Sequence, residues 1–462
     1  MSGVQIQLVC YISVLILLLS CSQPVQQEAG ESAYRNQLGR DSTAQWNYLV
    51  YMAADNNLER FAIQNIMDMK EVGSTEDVNI LVLLDRSPGY DKTNGDWTDT
   101  RLLYITKEGS LNDDIVKEYG ELDMTNPSTL LDFLTLANTH YPARNTALVL
   151  WSHGTGVYPE GAFLQPSHLP DDGTGTTIPA ATNSKRGVVH DYSTGYLAKI
   201  TIQSLGEILQ KHRKATGKPL QLLQFDACLM QMLETVWQLE HEATYIVGSQ
   251  ANVPGTGSNY KAILSHLTKT PDITDREFAL VSVESFKEFY SNTVTSISYS
   301  AMATESLPSF RITFTQWTDS LSNASMEEQA AVQSLRQSCT SYDIVYTEYI
   351  DLREITNAIL NTPSLSPSIR LLSQELVTQL EHLVICNNAT NRFQGKLQGL
   401  GICWPHTQEQ YEFYTMDSAT VPPLRMHRET TFPQLICQLL ASTAASEPSA
   451  ASAAPNPGIL PL

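Results

Sequence analysis

Two side chains in this sequence have the chemistry of a nucleophile and its base, and they stand in matching contexts. His153 follows the apolar run in "ALVLWSHGTG", and Cys228 follows the apolar run in "LQLLQFDACLM". Each run reads as a strand buried on both faces, so each reactive residue falls just beyond a strand's C-terminal end. Open α/β sheets display reactive groups and bind ligands at that edge. If the two strands are neighbours, thiol and imidazole emerge at one rim. A thiol attacks as the thiolate, and a nearby imidazole supplies that state by ion pairing. Gly154 lets the backbone turn and approach a substrate, so its N–H and that of Cys228 are the candidate donors to a developing oxyanion. Singly, such a histidine is more often structural and such a cysteine more often core packing. The paired context carries the chemistry.

The elements that must position the pair alternate along the chain. "WNYLVYMAA", ending before Asp55, is a β-rich run, and "NNLERFAIQNIMDMKEV" has apolar residues at helical spacing. "VNILVLLDR" is a continuous apolar strand, "DTRLLYIT" a further strand and "PSTLLDFLTLANTHY" a helix with a Pro-Ser start. "TALVLW" precedes the histidine; the helix "TIQSLGEILQKHRKA" and the strand "LQLLQFDA" precede the cysteine. This order predicts an α/β fold with a mostly parallel central sheet and helices on both faces. Residues 44–262 are expected to form that domain. After 262 the texture is more helical, and 263–440 read as a C-terminal α+β part packed on it. "LSQELVTQLEHLVICNNAT" reads as helix and "QGLGICWP" as strand. The insert 155–187 is too long and too rich in Gly, Pro and Thr for an ordinary connection, and loops of that length are usually functional or disordered.

The chain ends lie outside this pattern. Residues 8–19, "LVCYISVLILLL", have the length of a signal-peptide apolar core and are short for a membrane span. Leu18-Leu19-Ser20-Cys21 resembles a bacterial lipobox, which would make Cys21 the lipid-modified first residue after cleavage of 1–21. The preceding "MSGVQIQ" has no Lys or Arg, the usual orienting charge, and a short uncleaved anchor is the alternative. Residues 22–43 are polar and aperiodic, a tether. The small-residue tail 441–462 is expected to be disordered. An exported, lipid-anchored protein of the bacterial cell envelope follows. Five cysteines then remain, Cys228, Cys339, Cys386, Cys403 and Cys437; an odd number leaves a free thiol in an oxidising compartment unless it pairs between chains.

Composition narrows the function classes. A net charge of −20 repels a phosphate backbone, so no nucleic-acid partner is expected, while cationic peptides are attracted. No CxxC pair supports a zinc ribbon or finger. A serine hydrolase's G-x-S-x-G elbow is absent, and "HEATY" at His241 breaks the zinc-peptidase H-E-x-x-H pattern. "GTG" without a following GK[ST] marks turns, not a phosphate cradle.

The chain resembles the clostripain-like cysteine peptidases, within the wider caspase, gingipain and legumain fold group. The residues that carry this are "VYMAADNNLE" (Val50 to Glu59), "LVLWSHGTG" (Leu148 to Gly156), "FDACLM" (Phe225 to Met230), "VGSQANVPGTGSNY" (Val247 to Tyr260) and "GLGICWP" (Gly399 to Pro405), over roughly residues 45–430. The resemblance implies a caspase-like sandwich and a cysteine endopeptidase using a His153–Cys228 dyad without an obligatory third member. It implies peptide or protein substrates cut after Arg or Lys. Asp226 matches the family's acid beside the S1 pocket; the neutral Asn259 stands near where an acid or aromatic is expected, a departure from a two-acid pocket. It further implies self-cleavage in the 155–187 loop, where Lys185-Arg186 is the basic pair. No cofactor is required by any motif. Calcium, which some relatives use, could be bound by Asp55, Asp171, Asp172 and Asp191, which fit no EF-hand spacing. The competing reading is a catalytically inactive, lipid-anchored binding protein on the same scaffold.

Overall fold

The computed structural model of the chain describes residues 43–157, 187–193, 199–343, 346–415 and 423–446. In chain order the strands are β1 (Ala44–Ala54), β2 (Val78–Arg86), β3 (Thr100–Tyr104), β4 (Ile115–Gly120), β5 (Ala143–Trp151), β6 (Gly187–His190), β7 (Lys199–Thr201), β8 (Leu220–Asp226), β9 (Ala243–Gly248), β10 (Ser298–Ala303), β11 (Tyr349–Asp351), β12 (Val384–Ala389) and β13 (Gly401–Cys403). Nine of them form one sheet in the order β12-β10-β9-β8-β5-β1-β2-β3-β4. The five central strands, β9 through β2, are parallel to one another. Antiparallel strands continue the sheet at both sides. This is the expected α/β class with a mostly parallel sheet.

Alternation along β1 explains why both faces are covered. Trp46, Tyr48, Val50 and Met52 join a core with residues of helices Glu59–Lys70, Tyr260–Lys269 and Asp275–Tyr290. The intervening residues point the other way: Asn47 donates to the Tyr141 carbonyl at 2.7 Å, and the Tyr51 ring packs on Phe133 of helix Pro127–His140. With both faces buried, β2 has no exposed residue. Truncating one of its side chains, Ile80 for example, costs about 2–5 kcal/mol of stability.

Three expectations change. The sheet does not stop at residue 262: β10 and β12 extend it, so the 263–440 region completes the same sheet within one compact unit, Ser42–Leu462. "LVICNNAT" is not a continuation of helix; the helix Pro367–Leu383 stops and β12 begins at Val384, because the chain there pairs with β10. Helix Phe432–Ser446 runs six residues past the expected end of the fold at 440, since Ala and Ser tolerate a helix as readily as a coil. The signal segment, Cys21, most of the tether and residues 447–462 lie outside the described residues. Among the described residues no helix is long and apolar enough to cross a membrane.

Candidate active site

Strand register brings the two reactive residues together. β5 and β8 are adjacent and parallel, with Trp151 opposite Asp226 at their C-terminal ends. His153 and Cys228 each lie two residues further on and line one cavity of about 140 Å³, with Leu58, Ser152, Asp226, Val253, Pro254 and Gly257 among its walls. Gly154 sets their approach: a Cβ there would sit 2.3 Å from the Cys228 carbonyl oxygen and 3.2 Å from its nitrogen. Only glycine fits. Cys339, Cys386, Cys403 and Cys437 do not line this cavity.

The segment Asp55–Glu59, directly after β1, furnishes the rim residue by residue. Asn56 Nδ2 donates to the carbonyls of Ala53 at 3.0 Å and His190 at 3.1 Å, fastening β6 to the rim. Asn57 Oδ1 lies 2.7 Å from His153 Nε2. Since the amide oxygen accepts, the proton sits on Nε2 and the basic ring nitrogen is Nδ1. Leu58 is a cavity wall, and Glu59 makes a fully buried ion pair with Arg86 at 2.7 Å, closing the loop after β2. The His153 ring also lies 5.3 Å from that of His190. Sequence reading did not single out Asn57, because "DNN" after a strand is ordinary turn composition.

Burial, and then the charge of Lys199, hold His153 down at about 4. Burial likewise raises Cys228 to about 11, against the opposing effect of the Val253 N–H. The thiol lies 3.3 Å from that nitrogen and 3.8 Å from the Val253 carbonyl. Both shifts favour the uncharged forms of thiol and imidazole. Burial of either charge opposes the ion pairing expected from the sequence.

Asp226 closes the cavity floor. Its Oδ2 accepts from the Ser258 N–H at 2.9 Å and from the Tyr260 hydroxyl at 2.7 Å, while buried Oδ1 has no partner. Burial raises its pKa. A Cβ at Gly257 would come within 2.7 Å of the carboxylate, so glycine keeps the approach open. Asn259 is not on this cavity; its side chain caps helix Tyr260–Lys269 by accepting from Ala262 N at 3.2 Å. The loop between them is held by Asn65, which accepts from Trp151 Nε1 and donates to the Thr256 carbonyl, both at 2.9 Å. The C-terminal region reaches the rim through Tyr349, whose hydroxyl donates to the Thr155 carbonyl at 2.8 Å.

Lys185, Arg186, Asp171 and Asp172 lie outside the described residues. Asp55 and Asp191 instead meet Asp85 and Glu121, an all-oxygen set suited to a hard cation. Burial and the neighbouring acids raise Asp85 to about 9 and Glu121 to about 7.

A thiol and an imidazole at adjacent parallel strand ends define a cysteine hydrolase of the caspase-like α/β class. Residues 50–421 match the model of the clostripain family of peptidases, and the chain belongs to that family, a cysteine-type peptidase. Solved structures agree in fold. A secreted C11 cysteine protease from Bacteroides thetaiotaomicron, bound to an irreversible peptide inhibitor, is 19% identical with a TM-score of 0.56, covering 86% of this chain and 99% of its own. An inactive zymogen C11 protease from Parabacteroides distasonis is 18% identical with a TM-score of 0.60, covering 85% and 99%. The Bacteroides thetaiotaomicron protease iotapain is 16% identical with a TM-score of 0.59, covering 86% and 99%. No curated protein sequence matches the chain.

Proposed function

We propose that this protein is an exported endopeptidase that cuts peptides after Arg or Lys, with Cys228 as nucleophile and His153 as general base. The observation that carries this reading is the shared cavity at the β5 and β8 ends, with a thiol, an imidazole and a buried acid on its walls. As the scissile carbonyl enters, His153 Nδ1 takes the thiol proton while sulfur bonds to the carbonyl carbon. The imidazolium formed is stabilised by the Asn57 oxygen at Nε2. Negative charge then collects on the carbonyl oxygen, which the N–H groups of Gly154 and Cys228 receive. His153 returns its proton to the leaving amine, leaving a thioester; water attacks it with His153 again as base, releasing the acid and the thiol. Asp226, with one oxygen unpaired on the cavity floor, selects the cationic P1 side chain. Asn259 shapes the loop through its helix cap.

The N-terminal segment supports export and lipid attachment at Cys21, which would tether the enzyme to a membrane through residues 22–43. A maturation cut after Lys185 or Arg186 would fall immediately before β6, whose Gly187–His190 backbone is fastened independently to the rim. The description of the Parabacteroides relative as a zymogen accords with such a step.

Stoichiometric labelling by a peptidyl electrophile with Arg at P1 tests the reading. Wild type should bind one label per chain, blocked by prior alkylation and absent in Cys228→Ala. That variant should also remain a single chain while wild type acquires a new N-terminus at Arg186 or Gly187. Labelling of Cys228→Ala equal to wild type would refute the nucleophile. No turnover and no labelling of wild type would favour the inactive binding protein.

A further inference from the structure

The late motif "GLGICWP" and the region after residue 262 line no part of the cavity that holds His153 and Cys228. One short strand of that region nevertheless reaches the loops of both. β11 is three residues long, has no exposed residue, and pairs with β13 inside the motif. Alternate residues of a strand point the same way, so Tyr349 and Asp351 face one side and Ile350 the other.

Tyr349 grips the histidine side. Its hydroxyl donates to the Thr155 carbonyl at 2.8 Å and accepts from the Val157 N–H at 3.0 Å. Gly156 lies between them at φ 66°, where a Cβ would meet both that hydroxyl and the Leu229 carbonyl at 2.8 Å. β6 supplies further ties, Val189 N to the His153 carbonyl at 3.3 Å and Thr155 N to the Gly187 carbonyl at 3.2 Å. Without the phenol hydroxyl the loop keeps its β6 ties, but the Thr155 carbonyl and the Val157 N–H lose this buried partner.

Asp351 grips the cysteine side through Gln250. Its Oδ2 accepts from Gln250 Nε2 at 2.9 Å, and Gln250 Oε1 accepts from the Gly399 N–H at 2.8 Å. Gln250 and Asp351 are both fully buried. The residues flanking Gln250 hold the chain that follows Cys228. Ser249 O accepts from Gln231 N at 3.0 Å, and Ala251 O from Leu229 N at 3.1 Å. Leu229 occupies the left-handed region at φ 64°, which is costly without glycine, so the turn after Cys228 depends on such ties. Further along the same segment, the Val253 nitrogen lies 3.3 Å from the sulfur.

We propose that Tyr349 and Asp351 are positioning residues, a two-pronged clamp by which the C-terminal region sets the approach of His153 to Cys228. This rests on the roles proposed above for those two residues. The tyrosine acts through the loop that carries the imidazole and Gly154. The aspartate acts on the sulfur through Gln250 and the Val253 N–H. The region thereby serves catalysis without lending a group to the reacting atoms.

The test compares Tyr349→Phe and Asp351→Asn in the full chain, each alone and with His153→Ala. Phenylalanine keeps the ring stacked on Tyr346, with centroids 5.2 Å apart, and asparagine keeps an oxygen for the Glu354 N–H. In Tyr349→Phe, kcat for an Arg-P1 substrate should fall about 10- to 100-fold with KM little changed, the scale that a small misplacement of reacting groups costs. Alkylation of Cys228 by iodoacetamide, read by mass spectrometry at fixed pH, should slow in Tyr349→Phe. That slowing should vanish once His153→Ala is present. Asp351→Asn should slow alkylation whether or not His153 is present, because the Val253 contact slackens. The charges of Asp343 and Asp226 help to hold the thiol pKa up, and loss of a further negative charge would by itself speed the reaction. Slowing therefore reports geometry. Wild-type kcat in Tyr349→Phe, a slowing there that survives His153→Ala, or undiminished alkylation of Asp351→Asn overturns the clamp. Loss of the native circular dichroism spectrum in either variant overturns it too, since that residue would then be structural only. If wild type neither turns over nor takes the peptidyl electrophile, the peptidase reading fails, and the alkylation comparison still decides the clamp.

Discussion

Asn57 Oδ1 lies 2.7 Å from His153 Nε2, which fixes the ring's tautomer before any substrate arrives. In the proposed mechanism the amide is a positioning group, leaving Nδ1 to move the proton and stabilising the imidazolium once formed. Removing a hydrogen bond to a charged group costs about 1.5–3 kcal/mol, roughly 10- to 150-fold in rate. Asn57→Ala should therefore lower kcat by that factor with KM little changed. Asn57→Asp should keep the acceptor, raise the His153 pKa and move the acid limb of kcat to higher pH. An unmoved acid limb in Asn57→Asp would show that the contact is only structural.

The neutral resting pair predicts a particular pH dependence. With His153 held at about 4 and Cys228 raised to about 11, thiol and imidazole both stay uncharged across the range between. The thiolate fraction then grows tenfold per pH unit below the thiol pKa. Alkylation of Cys228 by a small neutral reagent, followed by mass spectrometry, should climb steadily from pH 7 to 10. A flat rate between pH 5 and 8 would reveal a preformed ion pair.

Asp226 should decide both P1 choice and its pH dependence. Asp226→Asn keeps an acceptor for Ser258 and Tyr260 but loses the charge, so kcat/KM for Arg and Lys substrates should fall roughly 10- to 150-fold. Substrates with neutral P1 residues should lose little, and the melting temperature should not drop, because burial already disfavours the charged form. In wild type, the carboxyl protonates as pH falls through its raised pKa. KM for basic substrates should therefore rise on the acid side while KM for neutral ones stays level. Parallel KM profiles for the two substrate classes would remove Asp226 from the pocket.

Gly154→Ala puts a methyl group against backbone, the Cys228 carbonyl, which cannot swing aside. The strand ends must part, and the Gly154 and Cys228 N–H groups with them. Loss of an oxyanion donor typically costs about 10²–10³ in kcat. Activity should drop by that much or more while the far-ultraviolet circular dichroism spectrum stays native. Wild-type turnover in Gly154→Ala would mean that these two N–H groups do not receive the oxyanion.

The central strands and the placement of His153 and Cys228 were legible in the sequence because both signals are local. β5 ends in the apolar run "ALVLW" and β8 is mostly apolar, and each reactive residue lies two positions beyond its strand. Asn57 was not legible, since its role depends on which loop of β5 it meets. The carboxylate cluster was half legible: Asp55 and Asp191 were picked out, but Asp85 and Glu121 join them only through the order β1-β2-β3-β4. The cap made by Asn259 was not legible as such, because a helix cap and a pocket wall draw on the same residue type. β12 was hidden because "LVIC" continues the apolar spacing of the helix before it, and only β10 makes it a strand.

The unpaired oxygen of Asp226 bears on how a turnover ends. Folding leaves that acceptor unsatisfied beside the cavity, and under the proposed P1 preference a cationic side chain completes it. The peptide half that carries this side chain is also the half that remains after the amine has departed and the thioester has been hydrolysed. Its grip on the carboxylate does not weaken when the bond is cut. Under the proposed P1 preference, spent fragments ending in Arg or Lys should therefore compete with fresh substrate for the same carboxylate.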